Sequence, residues 1–365
     1  MRTAIVHYWL FHMRGGEKVV EALCELYPDA DIFTHLYDPS ELSSAISSHR
    51  VATTFIARLP FARRLYRHYL PLMPLALEEL DLSAYDLVIS SEAGPAKGVI
   101  TRPDALHVCY CHSPMRYLWD QYHIYLKTAG LPTRALMPLL FHGLRQWDVA
   151  SASRVDHFIA NSTAVAARIR KFYRRDAEVI PPPVDAANFS SADQRRDYYL
   201  FVGQLVGYKR ADLAVEAFNR LGKRLVVIGD GEESRALKHV AGPTIEFLGK
   251  APFDVLRRHY GEARALVFPG EEDFGIVPVE AMASGTPVIA FGRGGALDSV
   301  VDGTTGLFFR EQTVEALIEA VARFEAQEER FDRAALAAHA AHFDKKVFKE
   351  RFAATVDRLL GPRVD

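Results

Sequence analysis

The sequence predicts an α/β protein made of two doubly wound, Rossmann-like parallel-sheet domains. Three observations carry that prediction. Short β-branched and aromatic runs alternate with longer helical patterns along nearly the whole chain. Runs that are apolar at consecutive positions, such as Leu225-Val226-Val227-Ile228, suit strands buried on both faces by helices. The length, 365 residues, accommodates two cores at ~150 residues per domain.

In the first half, strands are expected at 4–7, 31–34, 87–90, 107–110 and 157–160, with a helix at 17–26. In the second half they fall at 199–202, 225–228, 245–248, 266–268, 288–290 and 307–309, with crossover helices such as 212–221 and 314–324. The boundary lies at Ile180-Pro181-Pro182-Pro183-Val184-Asp185, because three prolines can continue neither a helix nor a central strand. A polar stretch over 190–197 follows. The expected organisation is therefore a domain over 1–180, a linker over 181–197 and a domain over 198–365, with the last helix able to pack back on the first domain. Ligands of such sheets collect at the carboxyl ends of the strands, so two sheets facing each other are expected to enclose the chemistry in a cleft.

Composition excludes several classes. Lys+Arg 44 against Asp+Glu 46 gives a net charge of -2, without the basic surplus that sequence-independent nucleic-acid binding needs. Charged residues at 25% with 11% aromatics exclude a disordered chain. Three cysteines exclude a disulfide framework and suit a reducing compartment. No run reaches the ~18 apolar residues of a membrane-spanning helix. Met1-Arg2-Thr3-Ala4-Ile5-Val6 enters a strand-like segment without a signal-peptide pattern, so a soluble, cytoplasmic protein is expected.

The richest segment follows the strand at 266–268. It reads Pro269-Gly270-Glu271-Glu272-Asp273-Phe274-Gly275-Ile276-Val277-Pro278-Val279-Glu280, then Gly285. The order is strand, acidic glycine loop, helix, with Pro278 suited to a first turn and Gly285 to a stop. Main-chain N–H groups at Phe274, Gly275 and Ile276 would point out of the helix start and suit anions or hydroxyls. Glu272 and Glu280 are placed to grip hydroxyl-bearing groups at the two ends of one ligand; alone, Glu280 also reads as a carboxylate at a helix start.

This segment resembles the E-x7-E signature of retaining GT-B glycosyltransferases of family 4, in a form similar to bacterial O-antigen and exopolysaccharide mannosyltransferases. The resemblance runs from Gly15-Gly16-Glu17 to Gly303-Thr304-Thr305-Gly306. It implies a nucleotide-sugar donor on the second domain, with Glu272 at the sugar hydroxyls, assisted by main chain at Phe274, Gly275 and Ile276, and Glu280 at the ribose. Low-specificity similarity places Lys250 and Ala251 at the nucleobase edge.

Charge that builds on a leaving diphosphate must be met by a metal or by fixed cations. The strand at 199–202 leads through Gly203-Gln204-Leu205-Val206-Gly207-Tyr208 to Lys209 and Arg210 at a helix start, where cations oppose the dipole. By resemblance Lys209 is the family's diphosphate lysine. Gln204 stands where the family usually carries an arginine, which leaves Arg210 as a possible substitute. Gly15 and Gly16 resemble a diglycine loop facing the same diphosphate. No metal is expected: Asp29-Ala30-Asp31 reads as a solvated turn, and Cys109 and Cys111 beside His112 read as small buried hydrophobes. Gly229-Asp230-Gly231 is a lone glycine turn.

On the acceptor side, the segment from His107 to Asp120 ends a strand and enters an aromatic loop. His112 sits where a cleft should be; as a lone histidine it also fits a structural role. By resemblance it lies beside the reacting carbon, a catalytic position with Lys209 and Glu272. Arg116, Tyr117, Trp119 and Asp120, with Tyr8 and Trp9, supply the aromatic faces and polar groups that suit a sugar acceptor. Residues 58–73 mix four arginines with apolar residues; they fit either an anionic membrane surface or a helix packed on its own domain.

The expected activity is hexosyl transfer, foremost mannose from GDP-mannose to a glycan or lipid-linked glycan in bacterial surface polysaccharide synthesis, as an α-mannosyltransferase. That places the protein in the cytoplasm or peripherally on the inner face of the membrane, with no cofactor beyond the co-substrate. The alternatives are the same reaction with a UDP-sugar, a nucleotide-sugar 2-epimerase, or a non-catalytic nucleotide-sugar-binding protein. A Rossmann dehydrogenase fits poorly, because no G-x-G-x-x-G opens the helix after the first strand.

Overall fold

A computed structural model describes residues 1–361 apart from Asp193 and the side chain of Thr128. Asp193, inside the expected polar linker, and residues 362–365, at the end of the expected second domain, lie outside the described residues. The described chain folds into two compact units, residues 1–182 with 348–361 and residues 183–347.

The first unit carries a seven-stranded parallel sheet. Its strands are β1 (Thr3–His7), β2 (Asp31–Thr34), β3 (Val51–Thr53), β4 (Leu87–Glu92), β5 (Leu106–Cys111), β6 (His157–Ala160) and β7 (Ala177–Val179). They are ordered β3-β2-β1-β4-β5-β6-β7. β1 is buried at every position, as a central strand covered on both faces must be. The two strands the sequence pattern misses, β3 and β7, are the edges, each three residues long and incompletely buried, so they lack a continuous apolar run. The helix Lys345–Leu360 delivers Phe348, Phe352 and Val356 into this unit's core, and the Phe348 ring lies 5.5 Å from Tyr110.

The second unit carries six parallel strands in the order β10-β9-β8-β11-β12-β13. These are β8 (Tyr199–Val202), β9 (Leu225–Ile228), β10 (Ile245–Gly249), β11 (Leu266–Phe268), β12 (Val288–Phe291) and β13 (Gly306–Phe309). Crossover helices Ala211–Leu221 and Val314–Glu325 bury one apolar face each on the shared core.

Two expectations need correction. Gly15 and Gly16 form the first turn of the helix Gly15–Leu26, not a loop before it. The cause is local: Arg14 N–H donates to Glu17 Oε2 at 3.0 Å and Lys18 N–H to Arg14 O at 3.0 Å, which closes the turn early. Residues 58–73 do not form the single helix that one of the two expectations placed there. They lie in short pieces, Phe55–Arg58, Ala62–Leu65 and Tyr66–Leu72, broken at Phe61, whose φ is 51°.

In each sheet the strand order reverses once, between β1 and β4 and between β8 and β11. The carboxyl ends beside those reversals are where such folds bind ligands.

Candidate functional site

At the reversal of the second sheet, the turn after β8 and the loop after β11 approach each other. Lys209, in the turn Gly207–Lys209, donates through Nζ to Glu272 Oε1 at 2.7 Å. Both side chains are mostly buried. Burial alone would lower the lysine pKa, but the Glu272 carboxylate outweighs it and raises it. This cation therefore stays charged and aimed at the loop.

Glycine makes that approach possible. A Cβ on Gly270 would stand 2.9 Å from Lys209 Cα and 2.9 Å from Tyr208 O. On the other side of the loop, Gly295 N–H donates to Glu272 O at 2.9 Å, and a Cβ there would stand 2.1 Å from Phe274 Cα. Glu272 is thus held between two close-packed backbones.

Gly275, with φ +84°, turns the chain into the helix Ile276–Ala283. The N–H groups at that start have no carbonyl one turn back, which leaves a donor surface beside Glu272. Glu280, on the same helix, accepts from the buried Tyr260 hydroxyl at Oε2, 2.8 Å. Arg210 caps the helix Ala211–Leu221 with φ 54°, and its guanidinium is bonded to Asp212 at 3.0–3.2 Å. Its charge is thus shared with the helix's own first turn. Gln204 is exposed. Lys250 and Ala251 line a cavity of about 410 Å³ beside the helix Phe253–Glu262, and neither Lys209, Glu272 nor Glu280 lines it.

At the reversal of the first sheet, the ends of β1, β4 and β5 gather His7, Tyr8, Ser91 and His112 under the first turn of Gly15–Leu26. A Cβ on Gly16 would stand 3.1 Å from Tyr8 Oη, 3.5 Å from His7 Cε1 and 3.7 Å from His112 Nε2, so glycine admits all three. Ser91 Oγ lies 2.9 Å from His112 Nε2, and Asn161 Nδ2 donates to His112 O at 3.0 Å. Burial, then the nearby His7, lowers the His112 pKa to about 3, so the ring is neutral at ordinary pH.

The loop after His112 is anchored from below. Trp119 stacks on Phe172 at 4.8 Å and its indole N–H donates to Asp148 Oδ2 at 2.8 Å. Asp148 also pairs with the fully buried Lys97, whose ammonium lies 3.1 Å from Glu92 Oε1. Arg116 Nε donates to Asp120 at 3.3 Å, and Tyr117 packs on Phe141 at 6.1 Å. Trp9 packs on Tyr66 at 4.8 Å. Cys109 and Cys111 are wholly buried. Among the described residues, no group of three or more His, Cys, Asp or Glu is arranged to hold a metal ion.

Comparison with known proteins decides the family. Residues 13–188 match the model "Glycosyltransferase Family 4", and residues 185–341 match "Glycosyl transferases group 1". The chain belongs to the family 4 glycosyltransferases.

Its fold is the GT-B fold. HepE from Anabaena in complex with UDP aligns with TM-score 0.70 and 15% identity over 98% of this chain and 99% of that one. Sucrose-phosphate synthase from Thermosynechococcus elongatus aligns with TM-score 0.71 and 19% identity over the same shares. Among sequence relatives, a D-inositol 3-phosphate glycosyltransferase of Geodermatophilus obscurus is 32% identical over 42% of this chain and 42% of its own length. The O-antigen chain mannosyltransferase RfbU of Salmonella typhimurium is 30% identical over 38% of this chain and 43% of its own. The chain thus spans less than half the length of either relative.

Within this family 4 chain, the structure brings together Lys209 and Glu272, separated by 63 residues in sequence, and places Gly16 against Tyr8 and His112. Sequence reasoning missed the supporting residues: Tyr260 behind Glu280, Gly294-Gly295 behind Glu272, and His7, Ser91 and Asn161 around His112. A Gly-Gly after a strand was available as a signal for one of these; the others are single residues far from the motif they serve.

Proposed function

We propose that the protein is a retaining, metal-independent hexosyltransferase that moves mannose from GDP-mannose to a lipid-linked glycan. The Lys209–Glu272 pair at the reversal of the second sheet is the observation that carries this reading. A diphosphate entering beside Lys209 takes over the ammonium, which frees Glu272 for sugar hydroxyls. The main chain at Phe274, Gly275 and Ile276 assists, and Glu280, oriented by Tyr260, takes the ribose. Arg210 and the Gly203–Gln204 turn flank the phosphates, and Lys250 and Ala251 the nucleobase.

The first unit serves the acceptor. Buried, neutral His112, hydrogen-bonded to Ser91, offers a hydrogen bond without a competing charge, Tyr8, Trp9, Tyr117 and Trp119 give aromatic surface to sugar rings, and Arg116 and Asp120 supply polar groups. The bond from the anomeric carbon to the diphosphate oxygen breaks as the acceptor oxygen bonds on the same face. The leaving oxygen accepts the acceptor's proton and Lys209 stabilises its charge. Trapping of a covalent glycosyl-enzyme at a carboxylate would count against this route.

The choice of mannose draws on the resemblance to mannosyltransferases, including the relative RfbU. A UDP-sugar is the second reading, favoured by the UDP in the Anabaena neighbour. Thermal stabilisation by GDP, UDP, GDP-mannose and UDP-glucose, with and without magnesium, separates the two. Ligand at ~100 Kd raises stability by about 2.7 kcal/mol. A guanosine-selective, magnesium-independent shift is expected; a uridine-selective shift keeps the transferase and discards mannose.

A further inference from the structure

The first unit buries a charge cluster that the proposed transfer chemistry does not use. Glu92 ends β4, Lys97 lies in the turn Ala96–Gly98, and Asp148 comes from the helix Leu131–Ala152. All three side chains are wholly buried. The Lys97 ammonium donates to Asp148 Oδ1 and lies 3.1 Å from Glu92 Oε1, while the Lys97 main-chain N–H donates to Glu92 Oε2 at 2.7 Å. The ammonium also stands 4.8 Å from the centre of the Tyr173 ring, whose hydroxyl lies 3.1 Å from both Asp148 oxygens.

Such a cluster is a poor source of stability. Taking three ions out of water costs about as much as their attraction returns, and apolar side chains of the same volume would serve the core as well. What the charges add is direction. At one end of the acceptor segment, the His112 main-chain N–H donates to Glu92 O at 2.6 Å, and Ser91 Oγ lies 2.9 Å from His112 Nε2. At the other end, Asp148 Oδ2 accepts the Trp119 indole N–H at 2.8 Å. Met115 and Leu118, in between, pack in one cluster with Leu144 of the helix that carries Asp148. Lys97 touches both Glu92 and Asp148, so it joins the two ends.

We propose that Lys97 is a positioning residue: held between Glu92 and Asp148, it fixes His112 and Trp119 relative to each other, so that both meet the acceptor in one register. Its purpose rests on the acceptor reading of this unit, whereas the linkage itself is measured without donor or acceptor. The cluster is also unbalanced. Two carboxylates share one ammonium, and among the described residues the buried Glu92 Oε1 receives no hydrogen bond. Burial, which outweighs the opposing Lys97 charge and is reinforced by Asp148, raises the Glu92 pKa to about 7. Cys111 on β5, Tyr117 on the loop and Tyr173 on the helix Thr163–Tyr173 also feel the Glu92 charge, and burial pushes each of them far above neutrality. The two carboxylates outweigh burial at Lys97 and keep it protonated. A proton taken up by Glu92 leaves the ammonium to Asp148, the acceptor of the Trp119 indole, so Glu92 reports on the whole joint.

The test is a titration of the full chain from about pH 5 to about pH 9, followed by the nuclear magnetic resonance signals of the indole N–H groups and histidine rings. Trp119→Phe and His112→Gln assign the two signals, and Trp9, which packs on Tyr66, is the reference. His112, with its pKa at about 3, does not titrate in this range itself. The Trp119 indole and the His112 ring are expected to shift together with one midpoint near 7, without Trp9. Glu92→Gln should abolish both shifts while the cooperative melting transition is retained. Lys97→Met should speed hydrogen exchange at the Trp119 indole and the His112 amide by at least about tenfold. Should a variant fail to fold, the titration of the unaltered chain makes the same test. Absence of a shift in either signal, separate midpoints, or shifts that persist in folded Glu92→Gln would overturn the proposal. So would unchanged exchange at both positions in folded Lys97→Met, which would leave the cluster as packing alone.

Discussion

Lys209 is a mostly buried cation whose charge is maintained chiefly by the Glu272 carboxylate, and the proposed chemistry uses that arrangement directly. Replacing it with alanine is expected to lower kcat by about 10²–10³, the usual cost of removing one group that meets developing anionic charge. Single-turnover kinetics check this, and a change below about threefold would remove Lys209 from the reaction. Histidines make a separate prediction about stability. His107 is buried, with its ring nitrogens hydrogen-bonded to Ser90 Oγ and Arg154 O, and its pKa falls to about 4 because of burial. The unfolded chain binds that proton near pH 6.5 and the folded chain does not, so stability is lost as pH falls from about 6.5 toward 4. The melting temperature should drop between pH 7 and pH 5, and His107→Gln should flatten that slope by about 2 kcal/mol at pH 5. At this scale Lys209, Glu272 and Glu280 were legible because they sit in a dense motif. Tyr260 and Ser91 were not, because a hydrogen bond across elements leaves no spacing in the sequence.

The loops between elements decide whether those side chains meet. Gly295→Ala places a Cβ against the Phe274 backbone and must displace the Glu272 loop. We expect this variant to lose sugar-dependent donor affinity by tenfold or more while the first unit keeps its hydrogen-exchange protection, measured by calorimetry and amide exchange. Under the other loop, Asp148 neutralises buried Lys97 and holds Trp119. Asp148→Asn leaves an ammonium with weakened compensation and should destabilise the fold by about 3–5 kcal/mol, read by chemical denaturation. A near-neutral result would show that Trp119 and the segment after His112 are held by packing alone. Central strands such as β1 and β9 were readable because burial on both faces demands unbroken apolar runs. The edges β3 and β7 depend on pairing that no local pattern encodes, and the early start of Gly15–Leu26 depends on the Glu17 carboxylate accepting from Arg14 N–H, a cap that arginine at that position does not announce.

Over the whole molecule, the alternation of strands and helices pointed to two wound units, and each sheet's single reversal is where the candidate residues gather. A net charge of -2 argues against sequence-independent nucleic-acid binding. Sugar and nucleobase remain a matter of ligand contacts that a fold shared by many donors does not specify. The most direct test of the account is titration calorimetry of GDP and GDP-mannose into the unaltered chain, Lys209→Ala and Glu272→Gln. The account predicts that Lys209→Ala weakens both ligands by more than about tenfold, whereas Glu272→Gln removes the advantage of GDP-mannose over GDP and leaves GDP binding largely intact. Unchanged affinities in both variants would contradict it.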